Sequence, residues 1–292
     1  MHQPRSNCRL YVLLARDSSD AVIIRRGPSK RVQLVSWQRD EDKFASGQWF
    51  KGRIYERRCD LSPSGKYLLY FAASHKPPLY AWTAVSRPPF LSALALWPKG
   101  DCWGGGGLFV QEREIHLNHP AHQMDLAEKN SLPKHFKIGR TNEQAGCGED
   151  FPIYHLRLLR DGWQPIEKEE CNAKEKTEPL FHFNLPITYS KTRPAEASKR
   201  NNGDQLKMSI CGIAEPNNPW YIVEYQIEAS SGTILKELGR LDWADWDSNG
   251  DLLFAKQGKI FRSKNLIDSL ELIDLRTNLY QEIAPEPWAT RW

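Results

Sequence analysis

Long hydrophobic runs are missing from this chain of 292 residues, and so are the close cysteine spacings that mark metal knuckles and disulfide frameworks. The longest apolar run near the start, LYVLLA at 10–15, is shorter than a secretory core and far shorter than a membrane span, so neither export nor membrane insertion is expected. The six cysteines, Cys8, Cys59, Cys102, Cys147, Cys171 and Cys211, stand far apart with no C-x-x-C pair, which predicts free thiols in a reducing cytoplasm. Methionine is scarce, at three residues. No sign of charge dominates either: 40 basic residues face 36 acidic ones. The basic patches are Arg25-Arg26 with Lys30-Arg31, Arg53 with Arg57-Arg58, and Lys191 to Arg200. None is interleaved with aromatics at stacking intervals, so they read as solvated edges and loops and argue against nucleic acid as a partner.

Catalytic signatures are absent too. There is no G-x-S-x-G, no H-E-x-x-H and no cysteine in a recognised peptidase context. Acidic runs such as 167–170, and Asp242 with Asp245 and Asp247, read as charged surface.

What is there points to sheets. Aromatics make up 11 % of the chain, with eleven tryptophans. Residues 8–15, 21–25 and 31–37 are rich in β-branched and aromatic residues and are separated by DSSD and GPSK, which predicts a three-stranded meander. The segment 153–159 (IYHLRLL) before Asp161-Gly162 reads as one arm of a hairpin, and 220–227 before Ser230-Ser231-Gly232 as another. Helix is expected only over 121–130 and for a turn or two at 264–270. The polar stretches 137–151 and 190–205 read as long loops.

The phrase Asp245-Trp246-Asp247-Ser248-Asn249-Gly250 fits the opening of a calcium loop, whose alternate oxygens would converge on a hard cation. The twelfth position, however, is Lys256, and the ninth is Leu253. A related phrase, Asp60-Leu61-Ser62-Pro63-Ser64-Gly65, also runs into an apolar strand. What the two share is a turn-bonding Asp, an inward apolar residue and a Gly free to take positive φ, so both are predicted to be structural turns, with Asp60, Gly65, Asp245 and Gly250 as their marks. Gly107, Gly162 and Gly203 extend the series at intervals of 41 to 55 residues, near the ~40–45 of a four-stranded propeller blade.

CDLSPSGKYLLYFA and ADWDSNGDLLFAKQGKIFR resemble the inner-strand hairpins of TolB-like and WD-repeat β-propellers, where W-S-P-D-G-x-x-L-x-F recurs once per blade. The resemblance covers about a tenth of the chain, and the Gly-His and Trp-Asp pair of orthodox WD repeats is absent. It implies an all-β fold: one β-propeller domain over 1–292, of about five four-stranded blades, with few short helices and long loops near 111–151 and 190–205. It implies no activity, since propellers host many functions.

Two further constellations matter. His116, His119 and His122 have three-residue spacing, but Pro120 interrupts any common helix and no Cys or carboxylate completes a tetrahedral set, so they read as loop histidines. Gly104 to Gly107 precede an apolar strand without the helix, Lys and Ser/Thr of a phosphate loop, so they read as backbone passing close to neighbours. Around them Trp82, Arg87, Trp97, Asp101 and Trp103 are the candidate binding residues, of types that dominate interfaces. The expectation is a non-catalytic interaction scaffold that engages another protein and needs no cofactor or metal. The alternative is a propeller enzyme acting on a small polar or sugar-like substrate in a central channel.

Overall fold

The computed structural model describes residues 7–28, 30–166, 185–194, 203–216 and 219–292. Cys171, the acidic run at 167–170 and most of the basic stretch 191–200 lie outside them. The fold is all-β, and the described residues form five sheets that follow one another along the chain. They fall into two compact units, Met1–Arg157 with Asp274–Trp292, and Leu158–Ile273. Among the described residues no helix is long and apolar enough to cross a membrane.

In the first unit the predicted meander is present and gains a fourth strand: β1 (Arg9–Leu14), β2 (Asp20–Arg26), β3 (Arg31–Gln38) and β4 (Lys43–Lys51) pair antiparallel in chain order. The central residues of β1 and β2 are buried without alternation, so both faces of this sheet are covered. β5 (Arg53–Ile54) and β6 (Asp60–Leu61) both pair with β7 (Leu68–Ala73), which continues through β8 (Ala81–Ser86) to β9 (Ala95–Lys99). β10 (Gly107–Gln111) and β11 (Glu114–Leu117) form a hairpin, to which β12 (Lys137–Arg140) adds in parallel. Leu69, Val85 and Trp97 pack on Phe109, Ile115 and Leu117 in one core between these last two sheets. The final segment is strapped to the same unit, with Arg25 donating to the Leu275 carbonyl at 2.8 Å and Trp292 to that of Ser131 at 2.8 Å.

The second unit holds β13 (Gln164–Ile166), β14 (Ile187–Thr192), β15 (Gln205–Ile213), β16 (Tyr221–Glu228) and β17 (Ile234–Arg240) in one antiparallel sheet. β16 and β17 are the hairpin expected after residue 220. A further sheet is formed by β18 (Trp243–Trp246), β19 (Leu252–Lys256), β20 (Lys259–Ser263) and β21 (Leu270–Asp274).

The Asp-to-Gly phrase makes the same bend twice. The Gly65 amide donates to the Ser62 carbonyl at 2.9 Å and the Gly250 amide to that of Asp247 at 2.8 Å, with both glycines at positive φ, 80° and 77°. Each bend joins the antiparallel strands expected of it, β6 to β7 and β18 to β19.

Several expectations are corrected. Residues 153–159 are not a strand but most of a helix, α1 (Phe151–Arg160). Its buried positions, Ile153, Tyr154, Arg157 and Leu158, follow helical spacing, and the inward Arg157 disguises the stripe as alternation. Arg157 tolerates burial because it donates to the Cys59 carbonyl and the Tyr11 hydroxyl. Gly162, at φ 88°, stops the helix and does not turn a hairpin; its amide and that of Trp163 bond the Leu159 and Leu158 carbonyls. The helix expected at 121–130 is only a 3-10 turn at Ala121–Gln123, and 264–270 is not helical. The stretch 111–151 contains β11 and β12, and β14 and β15 close on 190–205 from both sides.

Candidate functional site

At one end of the first sheet the strand termini bring like charges face to face. Antiparallel register sets Arg9 opposite Arg26 and Arg31 opposite Lys51. Such pairs are destabilising, because opposed residues share a face at close range. Gly52 then turns the chain into the next sheet: its amide donates to the Lys30 carbonyl at 2.8 Å, and a Cβ there would lie 2.4 Å from the Phe50 ring and 2.6 Å from the Ala73 carbonyl. That crossing delivers Arg53, paired with Ala73, and beyond it His75 and Lys76. The result is a concavity of about 1040 Å³ whose described lining includes seven lysines and arginines, one histidine and no carboxylate.

The cations differ in how they are held. Arg26 Nη1 lies 2.8 and 2.9 Å from the two oxygens of Glu56. Burial alone would raise that carboxyl, but Arg26 and Arg57 outweigh it and hold it below the usual range. Arg31 stands over the Tyr280 ring at 4.5 Å, and Arg53 over Tyr55 at 4.5 Å. The Arg53 side chain makes no hydrogen bond with the described residues, and its Nε is enclosed without an acceptor. Lys30, Lys51 and Lys76 make no ion pair with them. Two of the basic patches read in the sequence as separate solvated edges, at 25–31 and at 53–58, thus contribute Arg26, Lys30, Arg31 and Arg53 to one site. Only pairing register, which a linear reading does not see, joins them.

The residues singled out as binding candidates do not gather. Trp97 is 1 % exposed in the core, Trp82 packs edge-on to Phe50 with ring centroids 5.6 Å apart, and Arg87 donates to the Arg291 carbonyl at 2.8 Å. Asp101 accepts the Trp103 amide at 2.8 Å, and these two are the candidates presented to solvent.

The glycine run passes close to neighbours, as expected. Cβ atoms on Gly105 and Gly106 would stand 2.3 Å from the Phe71 ring and 2.2 Å from the Arg58 carbonyl oxygen. Arg58 anchors the run, donating to the Cys102 and Gly104 carbonyls at 2.6 and 2.7 Å and to Asp150 at 2.6 Å.

The three histidines also part company. His116 lies 3.2 Å from Glu114, His122 is exposed and His119 is buried. Because the Gln123 carbonyl can only accept, His119 Nδ1 carries the proton it donates over 2.9 Å. Nε2 then accepts from the Thr83 hydroxyl at 2.7 Å, which itself accepts from the Gly106 amide at 2.9 Å. Burial lowers the imidazole to about 4. Since the unfolded histidine titrates near ~6.5, the unfolded state binds more protons between those values and stability falls as pH drops through that window. Urea midpoints measured from pH 7 to pH 4 are expected to show this loss, up to about 3 kcal/mol, and His119→Gln to flatten it.

The carboxylates of the calcium-like phrase face the protein's own cations. Asp245 bonds Lys191 at 2.7 Å, while Arg262 lies 2.7 Å from Asp247 and 3.0 Å from Asp251. Asn249 bonds Asp251, and Asp60 accepts the Phe109 amide at 2.7 Å, tying two sheets of the first unit together. Among the described residues no three His, Cys, Asp or Glu side chains are grouped to hold a metal. The Cys59 thiol, pushed up to about 12 by burial, stays protonated at neutral pH.

No family model and no curated protein sequence matches the chain. Among solved structures it is similar to the uncharacterized protein lmo1340 from Listeria monocytogenes EGD-e, at 9 % identity and a TM-score of 0.30, over 91 % of this chain and 83 % of that one. A likeness of that size carries no argument, and the chain's all-β character rests on its own five sheets.

Proposed function

We propose that this chain is a non-catalytic interaction scaffold of β-propeller type, of about five blades, that docks an anionic segment of another protein in the basic concavity. Five sheets in chain order, and one bend recurring at the head of two of them, support the propeller reading. The docking reading is carried by the lining of seven cations with no carboxylate among the described residues. Opposed like charges weaken the sheet end they occupy, and a concave wall focuses their field on an incoming anion. Non-catalytic binding is supported further by the state of the buried reactive groups: His119 is neutral with both nitrogens bonded, and Cys59 is a thiol.

A labelled peptide rich in Asp and Glu, titrated into the protein at low salt, is the direct test. Binding is expected, weakening as salt rises because exposed charges are screened over about 10 Å at 0.1 M. The Lys30→Glu/Lys51→Glu/Lys76→Glu variant is expected to lose at least about tenfold in affinity with a urea midpoint that is not lowered, since a glutamate at position 51 would face Arg31. Failure of every anionic peptide to bind would remove the proposal.

A further inference from the structure

We infer that the anion received in this concavity is phosphate, carried on a partner segment phosphorylated at more than one position; the inference rests on the docking reading above. The lining donors come from four chain segments, 7–9, 26–27 with 30–32, 51–53 and 74–76, and so approach from several directions. A carboxylate offers one negative charge and accepts in its own plane. A phosphate offers nearly two charges and three strong acceptor oxygens spread around a tetrahedron.

The arginines favour the same ligand. The Arg53 side chain, stacked on Tyr55 and with no hydrogen bond to the described residues, keeps its terminal Nη donors for a partner in an orientation already set by the ring. Arg26 is held in place through Glu56. Planar guanidinium forks of this kind match phosphate through paired donors, at less entropic loss than free lysines. Several unpaired cations over about 1040 Å³ call for more than one phosphate group.

Other phosphate-bearing partners fit less well. His75 is the only aromatic side chain in the described lining, and it packs edge-on to Tyr80, so bases would have no platform to stack on. The apolar lining residues, Cys8 and Val32, are buried, which leaves no side chain to insert into a bilayer.

Calorimetric titration with a Gly-Ser peptide bearing two phosphoserines three residues apart, and with a charge-matched peptide bearing four glutamates, tests this. The phosphopeptide is expected to bind roughly tenfold tighter than the glutamate peptide. Arg53→Lys, which keeps the charge but removes the fork, is expected to cost the phosphopeptide about fivefold and the glutamate peptide less, because the fork pairs with either anion but phosphate brings more charge and more acceptor oxygens. Equal affinity for the two peptides overturns the inference while leaving the docking reading intact; no binding of either overturns both. Tighter binding to a single-stranded RNA oligomer, or to vesicles containing a phosphoinositide, also overturns it and assigns the basic concavity to that class.

Discussion

Replacing Arg58 with methionine is expected to lower the stability of the protein by about 3–5 kcal/mol, because it strands a buried charge. Arg58 is 1 % exposed and its guanidinium lies against the rings of Tyr55 and Phe71. It joins three groups that are distant in sequence: the Asp150 carboxylate, the Cys102 carbonyl and the Gly104 carbonyl. Methionine fills much of the space but leaves a buried carboxylate without its cation and two carbonyls without donors. The double variant Arg58→Met/Asp150→Asn removes the uncompensated carboxylate and is expected to recover part of the loss. Urea unfolding of the three proteins measures this. A single variant within about 1 kcal/mol of wild type, or a double variant no better than the single, would show that the pair does not hold the site.

Gly106→Ala is expected to be the next most damaging change, at about 2–5 kcal/mol. Its φ of 79° is strained for any residue with a Cβ, by roughly 1–2 kcal/mol. The added atom would also stand 2.2 Å from a backbone oxygen that cannot swing aside, an overpacking worth roughly 1–3 kcal/mol more. Gly100→Ala is the control: a Cβ there meets nothing within 4 Å, and the change should stay within about 0.5 kcal/mol. Equal midpoints for the two variants would refute the close-crossing account of the glycine run.

Particular elements show how far a linear reading reaches. The strands around 9–14, 20–26 and 31–38 were legible because their apolar and β-branched runs are bounded by turn residues only a few positions away. The bends ending at Gly65 and Gly250 were legible for the same reason. Helix α1 was missed because a buried Arg157 breaks the visible period, and nothing within ten residues shows that Tyr11 and Cys59 will receive its donors. Trp97 resembled an interface anchor by type, yet its packing against Phe109 and Ile115 places it in the core.

The basic concavity is the extreme case. Each of its segments contains only a few cations, as an ordinary solvated loop does, and no local signal distinguishes a loop that stands alone from one that meets others.

By itself, then, the sequence determined the class of fold, the repeated bend and the positions where chain direction reverses, because these depend on side chains within a few residues of one another. Tertiary structure alone decided that Arg26, Lys51, Arg53 and Lys76 line one concavity, that Gly104 and Gly106 lie against Arg58, and that His119 is locked neutral. Those outcomes follow from strand register and from packing partners tens of residues away, which no local period encodes.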